Sequence, residues 1–282
     1  MGAWGTGTLF WRKPLKSVWF DEKARRVLEQ VHVNMPWRFL GEYRELILRE
    51  GINLELGFSG EELDRLDLRD VEKTVAELGA SQCGLTVHGP FWELCPGSQD
   101  PLIRQVTRLR LHQLVDVAAV VKPVQVVCHT GYDPRHHRGQ MEAWLDRALK
   151  VWEPVLRRLE GLGIRLCLEN VWEEDPELHR KIFERLSSPF LGFCLDVGHQ
   201  HSFSGTRLSV WWETLEDKIL ELHLHDNGGD RDEHLPVGRG TVDFHDLFGR
   251  IQALDPRPVL TVEPHKLAHL VETVRALTVW LG

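Results

Sequence analysis

Five cysteines are scattered through 282 residues, and no two form a Cys-x-x-Cys pair. Cys83, Cys95, Cys128, Cys167 and Cys194 therefore read as free thiols in a reducing compartment, not as a disulfide framework. No run approaches the ~18 apolar residues of a membrane span. Arg12, Lys13 and Lys16 break up the apolar residues a signal peptide would need, so the cytoplasm is the expected location. No Gly-rich nucleotide or phosphate loop marks a strand–helix junction, since Gly238-Arg-Gly240 lacks the flanking pattern of either. An excess of basic residues is missing too. The 34 Lys and Arg against 42 Asp and Glu leave a net charge of −8, which disfavours nucleic acid as a partner. There is no internal repeat, low-complexity stretch or obvious linker.

What is present is a strand–helix alternation. Hydrophobic residues make up 42 % and charged residues 27 % of the chain, a soluble-domain composition with core enough to need no staples. Candidate strands start near Val31, Ile52, Gly84, Val124, Ile164, Leu191, Ile219 and Val259. Between them, residues 42–49, 102–121, 141–162, 176–186 and 244–254 have helical spacing, with helix starts at Asp70 and at Asp175, which precedes a proline. Repeated units of this kind imply parallel strands with crossover helices, and eight of them predict a closed (β/α)8 TIM barrel. Residues 31–282 are expected to form this single catalytic domain. Residues 1–30 are expected to be an N-terminal extension strapped to it, helical from 21 onwards, with Trp4, Phe10, Trp11, Trp19 and Phe20 among basic residues.

Polar residues then stand where the strands end. Six close short apolar runs: Gly-Leu-Thr-Val-His88, Val-Gln-Val-Val-Cys-His129, Arg-Leu-Cys-Leu-Glu169, Gly-Phe-Cys-Leu-Asp196, Leu-Glu-Leu-His223 and Leu-Thr-Val-Glu263. His199 follows Asp196 by three, and Asp232 and His234 sit in a polar loop after the seventh strand. A buried strand has no structural use for a carboxylate or imidazole at its end. Nine such groups around one barrel mouth predict bound divalent metal. Glu169, Asp196, Glu263 and His223 give an oxygen-rich position suited to Zn2+, Mn2+, Fe2+ or Co2+. His88 and His129 converge near Glu169, and His199, Asp232 and His234 give a nitrogen-rich third position. His112, His136, His137, His179 and His245 are expected at the surface, while His201, His225 and His265 lie two residues from proposed ligands.

These motifs, with Val-His-Gly-Pro (87–90), Asp-Val-Gly-His (196–199) and Asp-Glu-His-Leu-Pro-Val-Gly-Arg-Gly (232–240) in this order, resemble the xylose isomerase-like/endonuclease IV superfamily over residues 31–282. The resemblance implies one metal on the equivalents of Glu169, Asp196, His223 and Glu263 in its isomerases and epimerases, with the two glutamates trading a proton. Its endonuclease branch implies three zinc ions on all nine positions. Because all nine are present, the leading expectation is a metal-dependent phosphodiesterase-type hydrolase with a metal-activated water. Its substrate would be a small or medium phosphoester, such as the nucleotide loop of a cobamide by resemblance alone. The alternative is a sugar or sugar-phosphate isomerase or epimerase using Glu169 and Glu263 as acid and base. A silent binding protein is disfavoured because no ligand position is lost. For the small-molecule substrate, Phe91, Trp92, Trp172, Trp211 and Trp212 are candidate pocket walls. Arg135, Arg231 and Arg239 are candidate phosphate clamps, and His201 and His225 can line the pocket.

Overall fold

The computed structural model describes residues 19–92, 94–137 and 139–282. Eight strands form one closed, all-parallel barrel in sequence order: β1 (His32–Pro36), β2 (Asn53–Gly57), β3 (Leu85–His88), β4 (Gln125–His129), β5 (Arg165–Glu169), β6 (Leu191–Asp196), β7 (Ile219–Leu224) and β8 (Val259–Val262). β1 closes the ring on β8 through His32 opposite Thr261 and Val33 opposite Val262. The expected (β/α)8 TIM barrel is what the chain forms, and each strand begins within one residue of its expected start.

Among the described residues the helices are α1 (Glu22–Leu28), α2 (Trp37–Glu50), α3 (Gly60–Arg65), α4 (Leu68–Ala80), α5 (Pro101–Val121), α6 (Pro134–His137), α7 (Met141–Gly161), α8 (Glu177–Arg185), α9 (Val197–Phe203), α10 (Leu208–Leu215), α11 (Phe244–Ile251) and α12 (Leu267–Leu281). Several of their starts are set by side chains that satisfy the free N–H groups of the first turn. Ser59 and Glu62 form a capping box on α3, and Asp100 caps α5 ahead of Pro101. The expected start at Asp70 is corrected by one turn, because Asp67 accepts the Arg69 N–H and caps α4. Of the expected extension, Trp4, Phe10 and Trp11 lie outside the described residues. Its helix is α1, which buries Ala24, Val27 and Leu28, and Gln30 just beyond donates to the Leu281 carbonyl at the end of α12 at 2.7 Å.

Alternation along each strand sends one set of side chains to the helices and the other into the barrel. The outer set and the helix faces make the apolar core, where Trp144, Trp152, Trp211, Tyr43, Phe193 and Phe248 are fully buried. β7 carries one extra residue. Its pairing with β6 jumps from Phe193–Ile219 to Cys194–Glu221, leaving Leu220 as a bulge. Above it, Glu221, His223 and His225 alternate into the barrel. No helix among the described residues is long and apolar enough to cross a membrane.

Candidate metal centre at the barrel mouth

His88, His129, Glu169 and Asp196 end β3, β4, β5 and β6; His223 lies near the end of β7, and Glu263 directly follows β8. Glu169 is the hub. Its Oε2 faces His88 Nε2 at 2.9 Å and His129 Nε2 at 3.1 Å, while its Oε1 faces His199 Nδ1 at 3.2 Å and His223 Nδ1 at 3.6 Å. His223 Nδ1 is also 3.3 Å from Glu263 Oε1 and 3.8 Å from Asp196 Oδ2. Asp196 caps α9 by accepting the His199 N–H at 2.7 Å, which turns the His199 ring back towards the mouth. Asp232 Oδ2 is 3.0 Å from His234 Nε2 and 3.4 Å from His199 Nε2. All nine residues singled out in the sequence thus come together.

His225 joins them. Its Nε2 is 3.0 Å from Asp196 Oδ1, its Nδ1 is 3.5 Å from Asp232 Oδ1, and its ring stacks on His234 with centroids 3.9 Å apart. It belongs to the cluster rather than to a pocket wall. His265 stacks on the far side of His234 at 4.0 Å. Burial against the neighbouring His234 lowers its imidazole to about 2, so it stays neutral.

The donor chemistry fits divalent cations. Ligand atoms of His88, His129 and Glu169, of Glu169, Asp196 and His199, and of His199, His225, Asp232 and His234 lie within 4.8 Å of one another in each group. Buried nitrogens and oxygens aimed into this space have no hydrogen-bond partner: Nδ1 of His223, Nδ1 of His225 and Oδ1 of Asp232. A buried orphan costs about 1–3 kcal/mol, and coordination would satisfy these atoms. In the cation-free chain, imidazolium supplies the positive charge instead. Burial works against ionisation of Glu169, yet His129 and His223 hold its carboxyl well below the usual range. Burial likewise opposes a charged His88, but Glu169 raises it to about 9. Glu263 is the exception, because burial dominates there and pushes it up to about 7.

Several residues escaped the sequence reading. Glu55 on β2 and Glu221 on β7 are fully buried beneath the mouth, with Glu55 Oε2 3.4 Å and Glu221 Oε1 3.8 Å from His223 Nε2. Gln125 donates to Glu221 at 2.6 Å, and Asn34 to Glu55 at 2.9 Å. The available signal was alternation in Glu221-x-His223-x-His225. Asn170 pins Asp196 through its backbone, with both bonds at 2.9 Å. Glu173 is buried behind it, bonded to the Thr130 hydroxyl and the Val171 N–H, and burial pushes it up to about 7.

The expected pocket residues divide. Trp172 meets Phe203 in a tilted contact at 4.5 Å and carries the Arg135 guanidinium 4.4 Å over its ring. Trp92 is 53 % exposed beside Phe91, which in turn meets His129 at 4.3 Å, so both tryptophans are at the rim. Next to Trp172, a groove of about 570 Å³ runs between the loops after β4 and β5, lined by Tyr132, Gln140, Glu142, Glu173 and Asp175 among others. Trp211 and Trp212 are corrected to core residues of α10, 0 % and 3 % exposed. His179 is corrected as well: it is wholly buried against Phe193 and Trp211, not at the surface. His201 sits at the lip, 2.8 Å from the Thr241 hydroxyl. The arginines do not form a phosphate clamp. Arg135 is forked onto Asp133 at 2.7 Å, Arg239 pairs with Glu272 at 3.0 Å, and Arg231 lies beside Asp230 at 3.7 Å.

Known proteins correct the expected reaction. The fold is similar to a D-tagatose 3-epimerase-like protein, with a TM-score of 0.78, 22 % identity and 89 % and 97 % of the two chains covered. It is also similar to a D-psicose 3-epimerase from Clostridium cellulolyticum H10, with a TM-score of 0.69, 15 % identity and 83 % and 85 % covered. At these identities the likeness is one of fold. It nevertheless favours the isomerase or epimerase alternative and overturns the phosphoester-hydrolase expectation, including a cobamide substrate. The physical reason is that nine ligands report cation capacity, which both chemistries share, while the guanidinium groups that would hold a phosphate are paired with acids. A solved Thermus thermophilus protein, TTHB071, soaked with ZnCl2, is 30 % identical over 88 % of this chain and 97 % of its own, with a TM-score of 0.71. An uncharacterised Methanocaldococcus jannaschii protein, MJ1311, is 27 % identical over 206 residues, 70 % of each chain. The family model described as xylose isomerase-like TIM barrel matches residues 51–279. With that match across most of the barrel, the chain belongs to the xylose isomerase-like TIM barrel family.

Proposed function

We propose that the chain is a divalent-cation-dependent sugar isomerase or epimerase, with Glu169 and Glu263 as its acid–base pair. The observation that carries this reading is their placement on the same nitrogen: Glu169 and Glu263 lie 3.6 Å and 3.3 Å from His223 Nδ1. Inverting a carbon beside a carbonyl, or moving the carbonyl to it, needs one group to take its proton and another to return one. Two carboxyls whose surroundings push their affinities for protons apart meet that need. Glu169 is held ionised by His129 and His223 and is the acceptor. Glu263, raised to about 7 by burial in the cation-free chain and with its side chain 12 % exposed, reaches the mouth and is the more basic of the two. His88 and His129 fix Glu169 through Oε2, which leaves Oε1 turned to the shared space.

A divalent cation on Glu169, Asp196, His223 and Glu263 supplies, when bound, Lewis-acid polarisation of the substrate carbonyl. Zinc is the first metal to test, since the Thermus relative was soaked with it, and Mn2+, Fe2+ and Co2+ suit the same mixed donors. Trp92, Trp172 and His201 are assigned to the substrate's ring and hydroxyls, in keeping with the small sugars named for the epimerases of this fold. The test is incubation of the metal-loaded chain with a panel of ketoses and aldoses in D2O. Deuterium should enter at the carbon beside the carbonyl as the epimer or isomer accumulates, and both should vanish in Glu263→Gln. A panel with neither exchange nor interconversion for any sugar under Zn2+, Mn2+ or Co2+ would remove the reading.

A further inference from the structure

Gly238-Arg-Gly240 has no place in the chemistry above, and neither does Asp226, which is completely buried directly after the lumen-facing His225. The two belong together. The Asp226 carboxylate accepts four backbone N–H groups: Gly238 at 2.9 Å and Gly240 at 2.8 Å on Oδ2, Asn227 at 2.9 Å and Val242 at 3.1 Å on Oδ1. Its backbone exchanges a further pair of hydrogen bonds with Leu235, at 2.9 and 2.8 Å. The loop wraps this closely only because it is glycine-rich. A Cβ on Gly240 would collide with the Asn227 carbonyl oxygen and with Asp226 Oδ1, and Gly238 has φ +83°. Between these anchors lie Asp232 and His234, and His234 itself has φ +48°. A side chain with a Cβ keeps that backbone conformation only where its surroundings enforce it.

We propose that Asp226 is a positioning residue: its carboxylate, cradled by Gly238 and Gly240, latches the loop after β7 so that Asp232 and His234 are delivered to His199 and His225 as one preformed cation position. This rests on the reading of the mouth as a cation centre. The latch acts on geometry, not on the reaction. An amide at position 226 would turn a donor towards two of the four N–H groups, and Gly240→Ala would push the loop off from outside.

The test titrates the full-length, metal-free chain with Co2+, reading bound ion by visible absorption and stoichiometry, alongside backbone amide exchange. In Asp226→Asn and in Gly240→Ala, the affinity of the position built by His199, His225, Asp232 and His234 should fall about 10- to 100-fold, the range for groups that orient metal ligands. Amides of Gly238, Gly240 and Val242 should lose protection while those of the barrel strands keep theirs. His234→Ala, which deletes the position, should show no further loss when combined with Asp226→Asn, because both act through one site. Should Asp226→Asn fail to fold, Gly240→Ala carries the comparison by its separate steric route. Wild-type chain that takes up no Co2+ would overturn the cation reading and the latch together. Normal uptake by wild type with unchanged affinity in the variants, or additive losses with His234→Ala, would overturn the latch alone.

Discussion

The two faces of the same eight strands are built to opposite rules. Outside, between strands and helices, the residues are large and apolar, with Trp144, Trp152 and Trp211 at 0–1 % exposure. Inside, where a barrel of this kind is ordinarily packed with Val, Ile and Leu, stand Glu55, Gln125, Glu169, Asp196, Glu221 and His223, equally buried. Burying one ionised group without a partner costs several kcal/mol. The outer layer therefore has to supply stability that the lumen gives up, and the lumen is tolerable only because acids face imidazoles or cations. Stability and chemistry are divided between two sides of one sheet, one residue apart.

The division can be tested from both sides. The largest effect should come from inside: Glu169→Gln should lower turnover at least ~10³-fold, as expected for a proton-transfer group, and the uptake of added divalent cation should fall. Loss of cation uptake without loss of turnover would detach the hub from the chemistry. Trp152→Ala, outside, should cost about 3–5 kcal/mol in denaturant unfolding, yet cation uptake per folded chain should stay at the wild-type level; if it falls in step with stability, the two faces are not separable. Glu173 tests the border. Its folded carboxyl is raised from 4.5 to about 7, so the folded state holds the extra proton and stability is lost as pH rises from about 4.5 to about 7. The span amounts to about 3 kcal/mol. Glu173→Gln should flatten that slope, and a pH–stability curve that keeps its fall would point to another group. The smallest effect belongs to the rim. Arg239→Ala removes an exposed pair with Glu272 and should cost under ~1 kcal/mol in thermal unfolding; a larger loss would mean that the loop leans on its charges as well as on Asp226.

The outer face explains why the fold was legible. Strand starts, the strand–helix alternation and the nine strand-end and loop ligands are local patterns, and a polar group closing an apolar run announces itself. Glu55 and Glu221 were hidden because each sits inside its strand between two leucines, and not at the strand end where a polar group stands out. Trp211, Trp212 and His179 were misplaced for a related reason. A helix with several large residues does not say from its composition which of them face the sheet, and an imidazole in a helix looks solvated until Phe193 and Trp211 are seen around it. The reaction was the least legible of all. His, Asp and Glu at these positions make clusters that could hold a cation, whereas what such a cation would act upon depends on rim residues such as Arg135, whose partner Asp133 neutralises it.

The single unpaired Leu220 has a consequence for how this protein can change. It resets the odd–even phase of β7, so that acids and imidazoles, and not Leu222 and Leu224, look inward. Deleting Leu220 itself would leave Ile219 opposite Phe193 and Glu221 opposite Cys194 without a bulge and keep the inward set, whereas deleting one residue above it would exchange the inward and outward sides of the strand beyond the gap. Lineages of this barrel are therefore free to lose the bulge at Leu220 but not a residue between Glu221 and His225, where a gap would mark a descendant that has abandoned the chemistry while keeping the shape.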